Sequence, residues 1–224
     1  MTDQDATNTA ITTIDLLRHG ECEGGHCYRG SINVALSPQG VERMVQRVNH
    51  VTQQYPVIWQ AIITSPLIRC EKFAHHLSQQ HQLPLQSDAA LQEMHFGDWE
   101  GELIEHIWNT QSSAVEQWFT DPVNCPPPNG EAADKFAARV TACFLAFVRQ
   151  HQGQHLLCVT HGGVMRVLLA HCLSMSLLDM HRFDIPYACL SRIQVIQTAD
   201  SSADGDEIYY RLVAHNIGSE LDEK

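Results

Sequence analysis

Three short apolar runs, separated by segments of helical spacing, constrain the fold of this chain more than any other feature. The runs cover residues 14–17, 61–64 and 155–160, and each has the length and composition of a strand buried on both faces of a sheet. Strands that alternate with helices are typical of a parallel sheet covered by helices on both sides. We therefore predict an α/β fold, a three-layer αβα arrangement with a largely parallel central sheet.

Two further patterns extend this prediction. Ser37-Pro38 has the residue types of a helix start, with a serine N-cap followed by a proline at the first helical position. Residues 191–197 and 208–214 alternate like a pair of strands around a polar loop at 201–206.

No linker long enough to separate two domains interrupts the sequence. We predict a flexible N-terminal tail at residues 1–13 and a single domain at residues 14–224. A small cap of helix and loop is expected at about residues 102–135 of that domain.

Arginine or histidine follows each of the three apolar runs. Arg18 and His19 follow the first run, Arg69 comes shortly after the second, and His161 follows the third. The carboxyl ends of parallel strands lie at one edge of a sheet, where ligands bind. An imidazole is a competent nucleophile at neutral pH, and a guanidinium binds a phosphoryl group through two parallel hydrogen bonds. The sequence therefore predicts a phosphoryl site centred on His19.

The charge balance limits the partners of this protein. The chain has 14 Lys and Arg residues against 26 Asp and Glu residues, a net charge of −12. Nucleic-acid binding depends on neutralising phosphates with basic residues, so we expect no nucleic-acid partner. A small anionic substrate needs a local positive cluster that overrides this field, and Arg18 and Arg29 are candidates for it.

The sequence also predicts a location. No apolar run approaches the length of a membrane span, and the polar N-terminus lacks the features of a secretory signal. Eight cysteines without regular spacing indicate reduced thiols, so we expect a cytoplasmic protein without a membrane partner. Cys22, His26 and Cys27 could hold zinc, but no second ligand pair follows, and we expect neither a metal nor a cofactor. The oligomeric state is left open.

Four segments of the chain, taken in order, resemble the histidine phosphatase superfamily, whose members include the cofactor-dependent phosphoglycerate mutases. These segments are residues 17–21 (LRHGE), 65–69 (SPLIR), 91–101 (LQEMHFGDWEG) and 160–163 (THGG). The resemblance covers nearly the whole chain from residue 14 onward. Within the superfamily, residues 24–40 and 127–131 are most similar to the α-ribazole-5′-phosphate phosphatase branch, which acts late in cobalamin synthesis.

The resemblance implies a metal-independent phosphatase that forms a phosphohistidine on His19. Glu93 would protonate the leaving alcohol and then activate water. Arg18, Arg69 and His161 would hold the phosphoryl oxygens, where charge is spread in a loose transition state.

Two positions depart from the pattern of the superfamily. Cys22 and Gly25 stand where many members have Ser or Thr and Asn, both of which contact phosphate. We expect a backbone N–H at Gly25 and the side chain of Arg29 to bind phosphate, with a surface position as the alternative for Arg29.

Three functions remain open at this stage. The first is a phosphomonoesterase for a small metabolite, with α-ribazole 5′-phosphate or a broader set of sugar phosphates as substrates. The second is a phosphoglycerate mutase-type enzyme that returns the phosphoryl group to another hydroxyl. The third is a binding protein that keeps the fold without turnover. The short region between Glu93 and Glu131 leaves little material for a mutase-like lid, which favours hydrolysis.

Overall fold

The structure is a computed structural model that describes residues 9–54, 59–198 and 207–218. The strands within these ranges are β1 (Thr9–Arg18), β2 (Ala61–Thr64), β3 (Leu85–Ser87), β4 (His155–Thr160), β5 (Leu190–Thr198) and β6 (Glu207–Ala214). The α-helices are α1 (Pro38–Gln54), α2 (Ile68–His81), α3 (Ile104–Thr120), α4 (Ala133–Gln150) and α5 (Gly162–Cys172). Short 3₁₀ segments lie at Ala89–Leu91, Gly97–Trp99 and Leu177–Arg182.

The six described strands form one sheet in the order β3-β2-β4-β1-β5-β6. The first four strands in this order are parallel, whereas β5 is antiparallel to both β1 and β6. The α/β prediction is confirmed, and the sheet is mixed at one end. Buried and partly exposed residues alternate along β5, which suits an antiparallel strand because such a strand can leave one face towards solvent.

The first strand is longer than the sequence predicts. It begins at Thr9 rather than at residue 14, so residues 9–13 belong to the sheet and not to a tail. The reason is its pairing with the long strand β5, which runs from Thr9 opposite Thr198 to Leu17 opposite Leu190. The rest of the expected tail, residues 1–8, and the expected loop at 201–206 lie outside the described residues.

The predicted start of α1 is confirmed. The helix begins at Pro38, and the Ser37 hydroxyl accepts a hydrogen bond from the Gly40 N–H at 3.0 Å. The strand pair predicted near the C-terminus is also present, as β5 and β6.

Helices cover both faces of the sheet because neighbouring residues of each central strand point to opposite sides. Leu16 belongs to the core on the side of α4 and α5, together with Phe144. Leu17, the next residue, belongs to the core on the side of α1 and α2, together with Met44 and Phe73. The carboxyl ends of β1 and β4 therefore emerge between two packed layers.

Helix α3 bends in its middle. Gln111 has non-helical backbone angles, with φ −137° and ψ 33°. Its side-chain oxygen accepts a hydrogen bond of 2.9 Å from the Trp99 indole N–H, and Trp99 is fully buried. The two halves of α3 consequently follow different directions, and each half contributes a residue to the cavity described below.

A buried carboxylate in β1 links the central strands. Asp15 accepts hydrogen bonds from Arg192 at 2.7 and 2.9 Å, from the Trp59 indole at 2.9 Å and from His155 at 3.1 Å. Burial raises the pKa of Asp15, but the hydrogen bonds from His155 and Arg192 outweigh it and hold the pKa below its ordinary value. Asp15 is therefore ionised at neutral pH and neutralises Arg192.

We expect the substitution Asp15→Asn to lower the free energy of unfolding at pH 7 by about 3–5 kcal/mol, because it removes one partner of a buried ion pair. Urea denaturation monitored by circular dichroism measures this. The matched control is Asp179→Asn, which removes the exposed ion pair with Arg182 and should cost less than about 1 kcal/mol. Equal losses in the two variants would contradict the assigned role of Asp15.

Candidate active site

The ends of β1 and β4 bring two histidines together. The two strands are neighbours in the sheet, with Arg18 opposite Thr160. His19 follows β1, and its backbone N–H donates to the Thr160 carbonyl at 2.9 Å. His161 is the N-cap residue of α5. The centroids of the two imidazole rings lie 5.2 Å apart in an edge-to-face arrangement.

His19 is arranged as a neutral imidazole. Its Nδ1–H donates to the Gly20 carbonyl at 2.7 Å, so Nε2 is the nitrogen that carries the lone pair. Burial lowers the pKa of His19 well below its ordinary value, and the charges of Arg18 and Arg69 lower it further. His19 is therefore unprotonated at neutral pH, with one ring nitrogen available for attack.

A cavity of about 190 Å³ opens above His19. Its charged and titratable lining residues come from separate segments of the chain: Arg18, His19, Arg29, Glu93, Arg166 and His181. Aromatic and aliphatic side chains form the remaining wall, among them Tyr28, Phe96, Ile104, Trp118 and Tyr187. The cavity thus combines the positive charge of three arginines with a largely apolar wall.

Arg18 is held against one side of this cavity. Its guanidinium lies over the Tyr187 ring at 4.2 Å from the centroid, and Nη1 donates to the Ile185 carbonyl. Its Nε is buried without a hydrogen-bond partner. Burial lowers the pKa of Arg18, but a guanidinium remains charged at neutral pH. Arg18 is therefore charged and held in one orientation, and its Nε–H has no acceptor within the protein.

Arg29 also lines the cavity and is buried, not at the surface. Its Nη2 donates to the carbonyls of Glu23, at 2.7 Å, and Gly25. Gly25 itself is absent from the cavity lining, and its carbonyl serves Arg29 instead. A phosphate contact from the backbone of Gly25 stays a prediction.

Arg69 and His161 lie behind His19 and do not line the cavity. Arg69 Nε donates to His161 Nδ1 at 3.2 Å, which leaves His161 Nε2–H to donate to the Ser65 hydroxyl at 2.7 Å. The other nitrogens of Arg69 donate to the carbonyls of Arg29, Gly30 and Ile32 at 2.7–3.3 Å. Their direct contact with phosphate stays a prediction, because both side chains are already bonded within the protein.

Glu93 lies on another side of the cavity, close to the start of α5. Its carboxylate accepts backbone N–H groups of Met94 at 3.0 Å and Gly163 at 2.9 Å. A Cβ atom at Gly163 would stand 2.3 Å from Glu93 Oε1, so only glycine leaves room for the carboxylate. Gly163 therefore allows the approach of Glu93 and also lies at the start of the helix.

Sequence reasoning missed two arginines of the site. Arg139 of α4 donates to the Glu93 carbonyl at 3.1 Å and to the carbonyls of Ala90 and Gln92 at 2.8 Å, and it pairs with Glu131. It thereby fixes the backbone that carries Glu93. Arg166 of α5 lines the cavity, and its position as the only Lys, Arg, Asp or Glu residue of an apolar helix was the signal that could have identified it.

The comparisons with known proteins agree with this geometry. Residues 14–201 match the histidine phosphatase superfamily, branch 1. The adenosylcobalamin/alpha-ribazole phosphatase of Escherichia coli is 31% identical over 81% of this chain and 89% of its own length. A 2,3-bisphosphoglycerate-dependent phosphoglycerate mutase of Bartonella quintana is 28% identical over 70% of this chain and 79% of its own.

Among solved structures, the alpha-ribazole phosphatase of Shigella flexneri superimposes with a TM-score of 0.73 at 26% identity, covering 91% of this chain and 96% of that one. The chain therefore belongs to the histidine phosphatase superfamily. It is a phosphatase, a hydrolase of phosphoric esters.

No described helix is both long and apolar enough to cross a bilayer. Among the described residues, no group of three or more His, Cys, Asp and Glu side chains is arranged to hold a metal ion.

The two buried histidines should make stability depend on pH. Burial, then the charge of a nearby arginine, lowers the pKa of both His19 and His161 well below 6.5. Between that value and the folded pKa, the unfolded chain binds protons that the folded chain does not. The free energy of unfolding should therefore decrease as the pH is lowered through this range, by at most about 1.4 kcal/mol per pH unit for each histidine.

Urea denaturation between about pH 5.5 and 6.5 measures this slope. We expect His19→Asn to reduce the slope by about 1 kcal/mol per pH unit relative to the unmodified protein, because it removes one group that is between about half and nine-tenths protonated in the unfolded chain over this range. Identical slopes would show that His19 is not held neutral by the fold.

Proposed function

We propose that this protein is a phosphomonoesterase that hydrolyses a small phosphorylated metabolite through a phosphohistidine at His19. The observation that carries the proposal is the arrangement of His19 itself. Its Nδ1–H is bonded to Gly20 and its pKa is depressed, so a neutral Nε2 is available beside the partly satisfied guanidinium of Arg18.

In the first step, His19 Nε2 attacks phosphorus and the ester P–O bond breaks. Glu93, in its protonated form, gives its proton to the departing oxygen, so the alcohol leaves neutral. Arg18 and Arg29, which line the cavity, bind the equatorial oxygens, where negative charge is spread. The product is a phosphoryl group bonded to His19 and an ionised Glu93.

In the second step, the Glu93 carboxylate takes a proton from a water molecule, and the water oxygen attacks phosphorus. The N–P bond breaks, inorganic phosphate leaves, and His19 and Glu93 return to their starting states. We propose that His161 and Arg69 act at the back of His19. Their mutual hydrogen bond fixes the ring of His161, and Arg69 contributes to the low pKa of His19.

We propose α-ribazole 5′-phosphate as the substrate. Two relatives support it, the Escherichia coli protein at 31% identity and the Shigella flexneri structure at 26%. The aromatic wall formed by Tyr28, Phe96 and Trp118 is suited to the benzimidazole base of such a riboside. We further propose that residues 102–135 form the cap, since Ile104 and Trp118 of α3 reach the cavity from this region.

Two alternatives keep the same chemistry. The Bartonella relative favours phosphoglycerate mutase-type transfer, which requires the cavity to exclude water while the phosphoryl group is retained. The mixed aromatic and aliphatic wall, in contrast, would accept many leaving groups and suits a broad-specificity sugar-phosphate phosphatase.

We also propose that the enzyme works in a reducing compartment, the cytoplasm. All eight cysteines are free in the structure, and most are buried.

The phosphohistidine can be trapped. With p-nitrophenyl phosphate, whose leaving group needs no protonation, Glu93→Gln should still form the adduct but should lose turnover by about 10²–10⁴-fold, because water is no longer activated. The adduct should be stable to alkali, labile to acid, and visible by intact-protein mass spectrometry. His19→Ala should give no adduct, whereas the control His26→Ala, which truncates an exposed imidazole on the same loop, should form it normally. An adduct that persists in His19→Ala would overturn the proposal.

A comparison of substrates separates the candidate functions. We expect kcat/KM for α-ribazole 5′-phosphate to exceed that for 3-phosphoglycerate and common sugar phosphates by at least about tenfold, because the aromatic wall binds the base. Phosphate release measured alongside product analysis by NMR decides the reaction type. Conversion of 3-phosphoglycerate to its isomer without phosphate release would favour the mutase, and equal rates on all sugar phosphates would favour the broad-specificity enzyme.

A further inference from the structure

Arg166 is an isolated cation in an apolar helix. Its neighbours Met165, Val167 and Leu168 are buried in the core, while Arg166 lines the cavity. Its guanidinium makes no hydrogen bond and no ion pair with any residue in the described part of the chain, and its Nε is wholly buried. Burial lowers the pKa of Arg166, and the neighbouring charge of Arg18 lowers it further.

Such a group is unfavourable unless something in the cavity satisfies it. Guanidinium nitrogens withdrawn from solvent are normally paired or bonded to several acceptors, as those of the buried Arg69 and the partly buried Arg139 are in this protein. Arg166 has room for such acceptors only on the cavity side, because helix α5 is packed into the core elsewhere. The arrangement points to an occupant that carries them.

Arg166 lies beside Arg18 in the lining of the cavity, and its charge acts on Glu93 and His181. A Cβ atom at Gly162 would stand 3.2 Å from both Arg166 Nη1 and Arg18 Nε. Arg166 is thus next to Arg18 and near Glu93, the group that would protonate the leaving oxygen.

Two further unsatisfied groups line the same cavity. Trp118 Nε1 of α3 and His181 Nε2 of the 3₁₀ segment Leu177–Arg182 are both buried without a hydrogen-bond partner. Their rings are in contact, with centroids 5.1 Å apart. Burial and the charge of Arg166 lower the pKa of His181 to about 4, so its imidazole is neutral at pH 7.

We propose that Arg166, together with Trp118 and His181, binds oxygen acceptors on the leaving group of the substrate. This inference rests on the proposed phosphomonoesterase function and adds a substrate class to it. The preferred substrates are phosphate esters of alcohols that carry further hydroxyl or carboxylate oxygens near the ester carbon. Guanidinium and indole groups only donate hydrogen bonds. This subsite therefore favours leaving groups with oxygen acceptors and forms no hydrogen bond with a purely hydrocarbon leaving group.

The experiment compares two esters of similar chain length, ribose 5-phosphate and n-pentyl phosphate, which differ in the oxygens of the leaving group. We expect the ratio of their kcat/KM values, ribose ester over pentyl ester, to fall about 10- to 100-fold in Arg166→Met, because a charge-assisted hydrogen bond is lost. Both activities should fall somewhat, since the cavity loses a positive charge, but the ribose ester should lose more. Trp118→Phe, which removes only the indole donor and keeps an aromatic ring, should lower the ratio about 2- to 10-fold.

The matched control is Arg182→Met, which removes a largely exposed arginine next to His181 and outside the cavity lining. It should keep the wild-type ratio. A ratio that stays within about threefold of the wild type in both Arg166→Met and Trp118→Phe overturns the subsite, as does an equal loss on both esters. If Arg166→Met does not fold, Trp118→Phe decides alone. A wild-type protein that hydrolyses neither ester nor any other phosphomonoester overturns the proposed function, a result distinct from an active enzyme without the preference.

Discussion

The buried guanidinium of Arg69 joins three parts of the chain on which the site depends. It donates to carbonyls of the loop at residues 29–32 and to the ring of His161 at the start of α5, and Arg69 itself lies in the first turn of α2, just after β2. A lysine could not replace it, because only the planar fork of arginine reaches these acceptors in several directions at once. Since its charge is fully enclosed, Arg69 also depresses the pKa of His19 without lining the cavity.

The structure uses its arginines in two distinct ways. Arg192 and Arg139 are each paired with a carboxylate, from Asp15 and Glu131, and these pairs hold strands and loops in place. Arg18 and Arg166 face the cavity and have no carboxylate partner among the described residues. In a chain with a net charge of −12, this unpaired pair concentrates positive potential at the one place where an anion is expected to bind.

Much of this was predictable from sequence, and the reasons are physical. The apolar runs that become β1, β2 and β4 are buried on both faces, so their composition alone identifies them, and the residues at their ends follow from the geometry of a parallel sheet. The antiparallel pairing of β5 with β1 was not predicted, because strand direction depends on tertiary pairing. Residues 9–13 (TAITT) are rich in β-branched residues but contain no run of apolar residues, and their place in the sheet follows from pairing with β5.

The site shows the same division. His19, Arg18, Arg29 and Glu93 line one cavity, and no local pattern indicates that Arg69 and His161 are hydrogen-bonded to each other outside that lining. Arg139 lies in an ordinary amphipathic helix, and only its contacts distinguish it from a surface arginine, whereas Arg166 is the one Lys, Arg, Asp or Glu residue of the apolar helix α5.

The bend in α3 has a consequence for how proteins of this shape can change. It is held by the Trp99–Gln111 hydrogen bond, remote from the phosphoryl chemistry, yet it sets where Ile104 and Trp118 meet the cavity. Ile104 and Trp118 therefore lie on a different element from His19 and Glu93, although they line the same cavity. A change in the direction of this helix would reshape the cavity wall and leave the residues at the ends of β1 and β4 in place.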